Sequence, residues 1–309
     1  MNQACPVCNT ALYSVIYTQT SGYPDAKIVK CNSCSHIYTL LEANINTQEL
    51  YTDQDEVYKV VENRGSIFDK ILTLEYRSVI KKINFLSSPR GTLMDFGCGK
   101  GKFGSLAKRD GWSVKCVETS EDRAEYARKT YQLEVNSNFY LSGNIFNLEF
   151  DVITLFHVLE HLPNPGVMLD QLLKDNLNNA GLAVIEVPNF NSLQSRIAKN
   201  RWIHLDVPRH INHFTPRNLE QLLIGCEMIP IRKAYFSYHL GLLGMVDSLL
   251  KLSGYKKNII YELKNRKSIL LILRILFILP LALLLEALSS FSAQGGIIRI
   301  YCTKKRLSL

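Results

Sequence analysis

The stretch Leu93-Met94-Asp95-Phe96-Gly97-Cys98-Gly99-Lys100-Gly101 constrains the fold more than any other part of the chain. An apolar run passes through one carboxylate into three alternating glycines and then into a helical pattern. Glycines at 97, 99 and 101 remove every Cβ where the backbone turns most sharply, so the chain can enter positive φ and approach a ligand closely. Strand, glycine turn and helix in that order open a nucleoside-binding α/β sheet. Asp95 stands two residues before the first glycine. A loop that receives a pyrophosphate at a helix N-terminus has no need of an anion there. A carboxylate at that point suits a cationic or hydrogen-bond-donating ligand instead.

The spacing Gly99-x-Gly101-x-x-Gly104 also fits the nicotinamide fingerprint, and Glu118, closing Trp112–Val117, meets the demand for a ribose-binding acid in either case. The segment that follows separates the two. Phe150–Phe156 reads as a buried strand and continues into His157-Val158-Leu159-Glu160-His161-Leu162-Pro163. The order Asp-x-Gly-x-Gly-x-Gly, together with this strand and its Leu-Glu-His-Leu-Pro tail, resembles the class I S-adenosylmethionine-dependent methyltransferases. The resemblance implies an α/β fold with a Rossmann-like seven-stranded methyltransferase sheet. It also implies S-adenosyl-L-methionine as cofactor. Asp95, Gly97, Cys98, Gly99 and Gly101 would hold the methionine end, Glu118 the ribose, and Asn144 the adenine, with His157 on the same rim.

Upstream, Cys5-Pro6-Val7-Cys8 and Cys31-Asn32-Ser33-Cys34 form two Cys-x-x-Cys knuckles. Four thiolates at that spacing predict a closed structural zinc site in a small ribbon over residues 1–45, with no open position for catalysis. Residues 46–90 read as a helical lead-in, with apolar positions at Ile67, Ile71, Leu74, Val79, Ile80 and Ile83. Tyr51, Tyr58, Arg64 and Phe68 lie where a lid over the cofactor would form. No positively charged start followed by an apolar run opens the chain, so a cytoplasmic compartment with reduced thiols is expected.

Between 91 and 237, short apolar runs alternate with helical stretches, which predicts parallel strands joined by crossovers. Strands are expected near 92–96, 113–118, 133–137, 150–156, 182–187 and 228–236, and helices near 102–110, 121–130, 166–176 and 215–225. A last strand at Gly296–Cys302 returns the chain to the same domain, 91–237 plus 294–309. Residues 238–293 form an apolar helical insertion between the last two strands. Its run Ser268–Leu285 approaches the length of a bilayer span, but Arg274 and Pro280 interrupt it. With Lys251, Lys256, Lys257, Lys264, Arg266 and Lys267 beside it, segment 240–290 predicts a peripheral contact with an anionic membrane, a self-association face, or a buried helix pair.

Methyl transfer from a sulfonium needs alignment and exclusion of water, and a base only where the acceptor must lose a proton. His157, Glu160 and His161 stand at i, i+3 and i+4. They read as a general base at His161 or His157, as a divalent-metal site like that of the ubiquinone-pathway O-methyltransferases, or as a capped loop. A second cluster, Trp202–Pro216, resembles the Pro-Arg-His-x-x-His-Phe segment of methyltransferases of surface-polysaccharide and secondary-metabolite loci. It makes His210 and His213, with Arg209, candidates for the acceptor side. The acceptor expected is a small molecule, a sugar or a lipid-linked glycan. The formal charge of +8 also suits RNA, but the sequence offers nucleic acid no base-stacking platform. A non-enzymatic membrane scaffold would not need an intact cofactor loop, and a homo-oligomer is compatible with the apolar insertion.

Overall fold

The computed structural model describes residues 4–18, 26–41, 65–87, 89–140, 142–257, 259–265 and 268–305. Tyr51, Tyr58, Arg64, Arg266 and Lys267 lie outside the described residues. Residue contacts divide the chain into two units: Met1–Lys59 with Pro188–Asn218 and Ala234–Ile298, and Val60–Val187 with Leu219–Lys233 and Arg299–Leu309.

The second unit is built on a seven-stranded sheet. Its strands are β4 (Thr92–Phe96), β5 (Ser113–Val117), β6 (Glu134–Asn136), β7 (Phe150–Phe156), β8 (Leu177–Pro188), β10 (Met228–Ala234) and β11 (Ile297–Lys304), in the order β10-β11-β8-β7-β4-β5-β6. Pairs β4–β5, β4–β7, β5–β6 and β7–β8 are parallel, so their carboxyl ends share one edge. Helices α2 (Lys102–Arg109), α3 (Glu121–Tyr131), α4 (Pro165–Asn176) and α6 (Pro216–Gly225) fall where the sequence pattern puts them, within a residue or two. Helix α1 (Ile67–Leu86) starts at Ser66, whose hydroxyl accepts the Asp69 amide as an N-cap. It buries Val79, Ile80 and Ile83 against a core that includes Leu93, Phe103, Cys116, Val152 and Val184. Strand β8 begins five residues before its predicted start, because the polar pair Asn178-Asn179 conceals the first part of the run.

The first unit carries a small sheet, β1 (Tyr13–Tyr17), β2 (Ala26–Cys31), β3 (Ile37–Leu41) and β9 (Asn212–His213), in that order. Strands β1 to β3 form the antiparallel ribbon, and β9 comes from the chain after β8 and pairs with β3. Helices α5 (Leu193–Ala198), α7 (Leu240–Leu252), α8 (Ile259–Asn265) and α9 (Ile269–Phe291) complete the unit. The insertion predicted between the last two strands is thus helical, with α7, α8 and α9 lying between β10 and β11. The buried stripe of α9 is fixed by Glu286, which accepts hydrogen bonds from the Gly296 amide at 2.7 Å and the Gln194 side chain at 3.1 Å.

Candidate functional site

Strand β4 ends on Asp95 and Phe96, and the chain turns at once through Gly97, Gly99 and Gly101, at φ of 76°, 54° and 76°. That region costs an L side chain about 1–2 kcal/mol. The three glycines are nevertheless there for different reasons. A Cβ on Gly97 would fall 2.4 Å from the Val158 side chain, and one on Gly101 would fall 2.8 Å from Cβ of Ala127. A Cβ on Gly99 would meet nothing within 4 Å. Packing of the protein therefore explains Gly97 and Gly101, while Gly99 opens onto space at the carboxyl edge of the sheet.

Two carboxylates frame that space. Glu118, just after β5, accepts the Gly99 amide at 2.8 Å through one oxygen and the Ser120 amide at 2.9 Å through the other. A carboxylate has about four acceptor sites, so both oxygens keep capacity for hydroxyl donors. Asp95 is almost fully buried, and one of its oxygens accepts the Thr154 hydroxyl at 2.8 Å. Its other oxygen is buried with no hydrogen-bond partner. Burial, opposed by the Thr154 hydrogen bond and reinforced by the charge of Glu118, pushes the Asp95 carboxyl up to about 7. A buried acceptor without a donor costs free energy that a donating or cationic ligand would recover.

The methyltransferase-domain family matches residues 68–225, just over half of the 309 residues. The chain belongs to this family. A mitochondrial ubiquinone biosynthesis O-methyltransferase of Schizosaccharomyces pombe is 28% identical over 131 residues, 40% of this chain and 45% of that protein. A ubiquinone biosynthesis O-methyltransferase of Hydrogenovibrio crunogenus is 27% identical over 96 residues, 29% of this chain and 40% of its own length. The chain thus spans less than half the length of these relatives. Among solved structures, the plantazolicin methyltransferase BpumL in complex with SAH is similar in fold, with a TM-score of 0.51 and 19% identity. That likeness covers 84% of this chain and 94% of BpumL.

In this methyltransferase domain the turn after β7 carries a buried chain of charges. The His157 ring is 3.0 Å from Glu160 through Nδ1 and 3.0 Å from Glu186 through Nε2. Arg299 of β11 binds the second oxygen of Glu186 and reaches Glu75 of α1 at 2.6 Å. Burial works against a charged imidazole, but hydrogen bonds to Glu160 and Glu186 prevail and hold His157 up at about 10. Burial likewise works against the Glu186 carboxylate, and Arg299 and His157 bring it down to about 2. With a carboxylate at each ring nitrogen, the site favours the charged form of His157. A ring held in that form orients its two carboxylates and is a poor proton acceptor. His161 ends the short turn Leu159–His161 and is half-buried.

Two other predicted cofactor residues sit differently. Asn144 precedes β7, donates to the Asp175 carbonyl at 3.2 Å and accepts the Leu148 amide at 2.8 Å. Asp175 lies just before β8, so Asn144 is at the amino ends of the parallel strands, away from the edge that carries Asp95, Glu118 and His157. The expectation of a common rim fails for Asn144 because the polar turn needs its side chain for its own closure. Register pairing puts Asn136, at the end of β6, next to Val117 on the carboxyl edge. The Cys98 thiol faces Cys116, which with burial holds it far above its ordinary range, so only its backbone belongs to the loop.

Sequence reasoning did not single out Glu186, Arg299, Glu75 or Tyr76. The signal was present in two of them: single opposite charges interrupt the apolar runs Ala183–Val187 and Ile297–Tyr301, which lie in neighbouring strands. Tyr76 of α1 packs edge-on against Phe103 and stacks on Phe156. Burial, with the charges of Asp95, Glu186 and Glu75, raises its phenol.

The remaining candidates belong to the first unit. His213 is buried with Nε2 at 2.9 Å from the Thr39 hydroxyl, and His210 is buried with Nδ1 at 2.8 Å from the His204 carbonyl. His36 reaches the Asn212 side chain at 2.9 Å, and Arg209 pairs with Asp206 at 2.6 Å. The sulfurs of Cys5, Cys8, Cys31 and Cys34 all lie within 4.8 Å of one another, with 3.6 Å between Cys5 and Cys34 and 3.5 Å between Cys8 and Cys31. Sulfurs around a tetrahedral zinc at about 2.3 Å would stand about 3.8 Å apart. The donor set thus fits that ion.

The glycine loop supports a direct comparison. Gly101→Ala should cost about 2–4 kcal/mol in urea unfolding, from backbone strain plus overpacking on Ala127 and Leu133. Gly99→Ala should cost only about 1 kcal/mol, the strain alone. Equal losses would mean that Gly99 is packed like its neighbour.

Proposed function

We propose that the protein is an S-adenosylmethionine-dependent methyltransferase acting on a small-molecule acceptor. The observation that carries this reading is the open face of Gly99 beside the unpartnered buried oxygen of Asp95. When bound, the cofactor supplies a methyl group on a sulfonium already activated for in-line displacement. The chain's own groups then bind and align: Asp95 offers its oxygen to the cationic end, and Glu118 offers lone pairs to ribose hydroxyls while holding the Gly99 amide in place. Asn136 takes the adenine side that Asn144 cannot reach. His157, as a charged ring, orients Glu160 and Glu186, which leaves His161 as the proton acceptor of this rim. For His210 and His213, hydrogen bonds to His204 and Thr39 favour a role in holding the loop that bears them.

The acceptor class we favour is a sugar or lipid-linked glycan, supported by the likeness of Trp202–Pro216 to the corresponding segment of surface-polysaccharide enzymes. The relatives named for ubiquinone biosynthesis support oxygen as the methylated atom. The four N-terminal thiolates are read as a structural zinc site, which supplies no chemistry at the methyl group.

Calorimetric binding of S-adenosylhomocysteine tests the reading. Wild type should bind, and Gly99→Ala should bind roughly 10- to 100-fold more weakly, because a methyl group intrudes where the ligand lies. A ligand ammonium near Asp95 favours its ionised form, so binding near pH 7 should release part of a proton from a carboxyl that sits at about 7 when free. Titration in two buffers of different ionisation enthalpy reads that release, and Asp95→Asn should abolish it. Folded wild type that fails to bind would overturn the proposal.

A further inference from the structure

Helix α9 has two faces of opposite fate. Leu271, Ala282, Glu286 and Ser289 are buried, and Leu271 and Ala282 belong to the apolar group that also holds Met245, Val246 and Leu250 of α7 and Ile259 of α8. These positions recur at helical spacing from near the first turn to near the last, so α9 is committed to its neighbours along its length. The other face is apolar and uncovered. Leu270, Leu273, Phe277, Leu284, Leu288 and Phe291 are exposed, with Phe277 at 87% and Phe291 at 91%. They follow one another at intervals of three, four or seven residues, which keeps them on one side of a helix. Over the 21 residues from Leu270 the stripe is about 32 Å long at 1.5 Å per residue. A contiguous apolar surface of this kind marks an interaction site.

The charges of the insertion say what covers it. Between Leu240 and Phe291 all three acids, Asp247, Glu262 and Glu286, are buried. Asp247 is paired with Lys251 and Glu262 with Lys257. Among the described side chains of the same segment, Lys256, Lys257 and Arg274 are exposed. Arg274 stands one turn from both Leu270 and Phe277, on the apolar face itself. The surface this segment offers to a partner is therefore apolar and cationic with no exposed acid. A seam between two copies of α9 would pair opposite charges along its flanks, and this face brings an arginine with nothing to pair it. Exposed Pro280 removes one hydrogen bond from the middle of the helix.

We propose that α9 lies in the headgroup region of an anionic membrane, with its Leu270–Phe291 stripe in the acyl boundary and Lys256, Lys257 and Arg274 at the phosphates. The helix lies on the bilayer and does not span it, since its inner face stays packed on α7 and α8. This assignment does not depend on the methyltransferase reading, and its test does not measure activity.

The test is flotation of the full chain with vesicles of equal parts phosphatidylcholine and phosphatidylglycerol, against vesicles of phosphatidylcholine alone. Wild type should float with the anionic vesicles and lose affinity as salt is raised. Each basic residue at such a surface changes affinity roughly fivefold, so Lys256→Gln with Lys257→Gln should weaken binding about 25-fold. Phe277→Asp with Leu284→Asp should abolish flotation with no change in thermal unfolding, since both side chains are exposed. Failure of wild type to float would overturn the proposal, as would equal binding to neutral vesicles. A concentration-dependent dimer dispersed by the Asp substitutions, without vesicle binding, would assign the face to a second copy and also overturn it.

Discussion

Replacing Cys5 and Cys31, both buried, together by serine is expected to abolish metal binding and unfold the ribbon. Structural zinc contributes on the order of 10 kcal/mol to the folding of small metal domains. One apolar cluster of the ribbon, Cys5, Val29, Cys31 and Tyr38, is built partly from the ligands themselves; in another, Ile28 and Ile37 pack with Ala198, Trp202 and Leu205. Metal analysis should find one zinc per wild-type chain and none in the variant. Loss of structure should extend to Asn212 and His213, because β9 has β3 as its strand partner and His213 has Thr39 as its hydrogen-bond partner. Amide exchange should accordingly lose protection over Ala26–Cys31, Ile37–Leu41 and Asn212–His213, while Thr92–Phe96 and Phe150–Phe156 keep theirs. Protection retained in the ribbon of a metal-free variant would show that the thiolates are dispensable for folding.

Arg299→Met is expected to destabilise the protein by about 3–5 kcal/mol, the range found when one partner of a buried ion pair is removed. The methionine fills similar volume, so the loss comes from charge: Glu75 and Glu186 would both lose the guanidinium, with His157 still beside Glu186. The pH profile distinguishes this from a packing defect. Glu186 is lowered to about 2 from an ordinary 4.5, so its contribution is complete above pH 4.5 and disappears as pH falls through 2. His157 is raised to about 10 from 6.5, so its contribution is complete below pH 6.5 and disappears as pH rises through 10. The network therefore stabilises most between about pH 4.5 and 6.5. Without Arg299, the main force lowering Glu186, the acid limb of the urea midpoint should move to higher pH. A midpoint unchanged within about 0.5 kcal/mol would mean that the charges find other partners.

Most of the sheet could be read from local pattern, because parallel strands buried on both faces appear as short unbroken apolar runs between glycine turns and amphipathic helices. Thr92–Phe96 and Phe150–Phe156 were placed to the residue for that reason. The glycine loop and Glu118 were legible as well, since turn, acid and strand lie within one unit of the chain. What local pattern could not give was pairing across long separations. Residues 188–218 read as one more part of the sheet domain, yet they group with the ribbon, where β9 finds its partner 174 to 176 residues upstream in the register Ile37 to His213, Tyr38 to Asn212. Two histidines that resemble acceptor-side groups thereby become hydrogen-bonded parts of a buried join. Glu186 and Arg299 show in the sequence only as single charges in apolar runs, and their pairing depends on the same kind of long-range adjacency, that of β8 and β11. Asn144 was misplaced because the length of the connection before β7 does not reveal which end of the sheet its polar residues close.

The position of β11 bears on how the protein is made. It lies between β10 and β8, so during vectorial synthesis the sheet keeps a vacant slot until residue 304 has emerged from the ribosome. Throughout that interval Glu75 and Glu186 lack the Arg299 guanidinium, while α9 is already translated. Closure of the sheet and assembly of the Glu75–Arg299–Glu186 bridge therefore come last, after every other strand of the sheet is available.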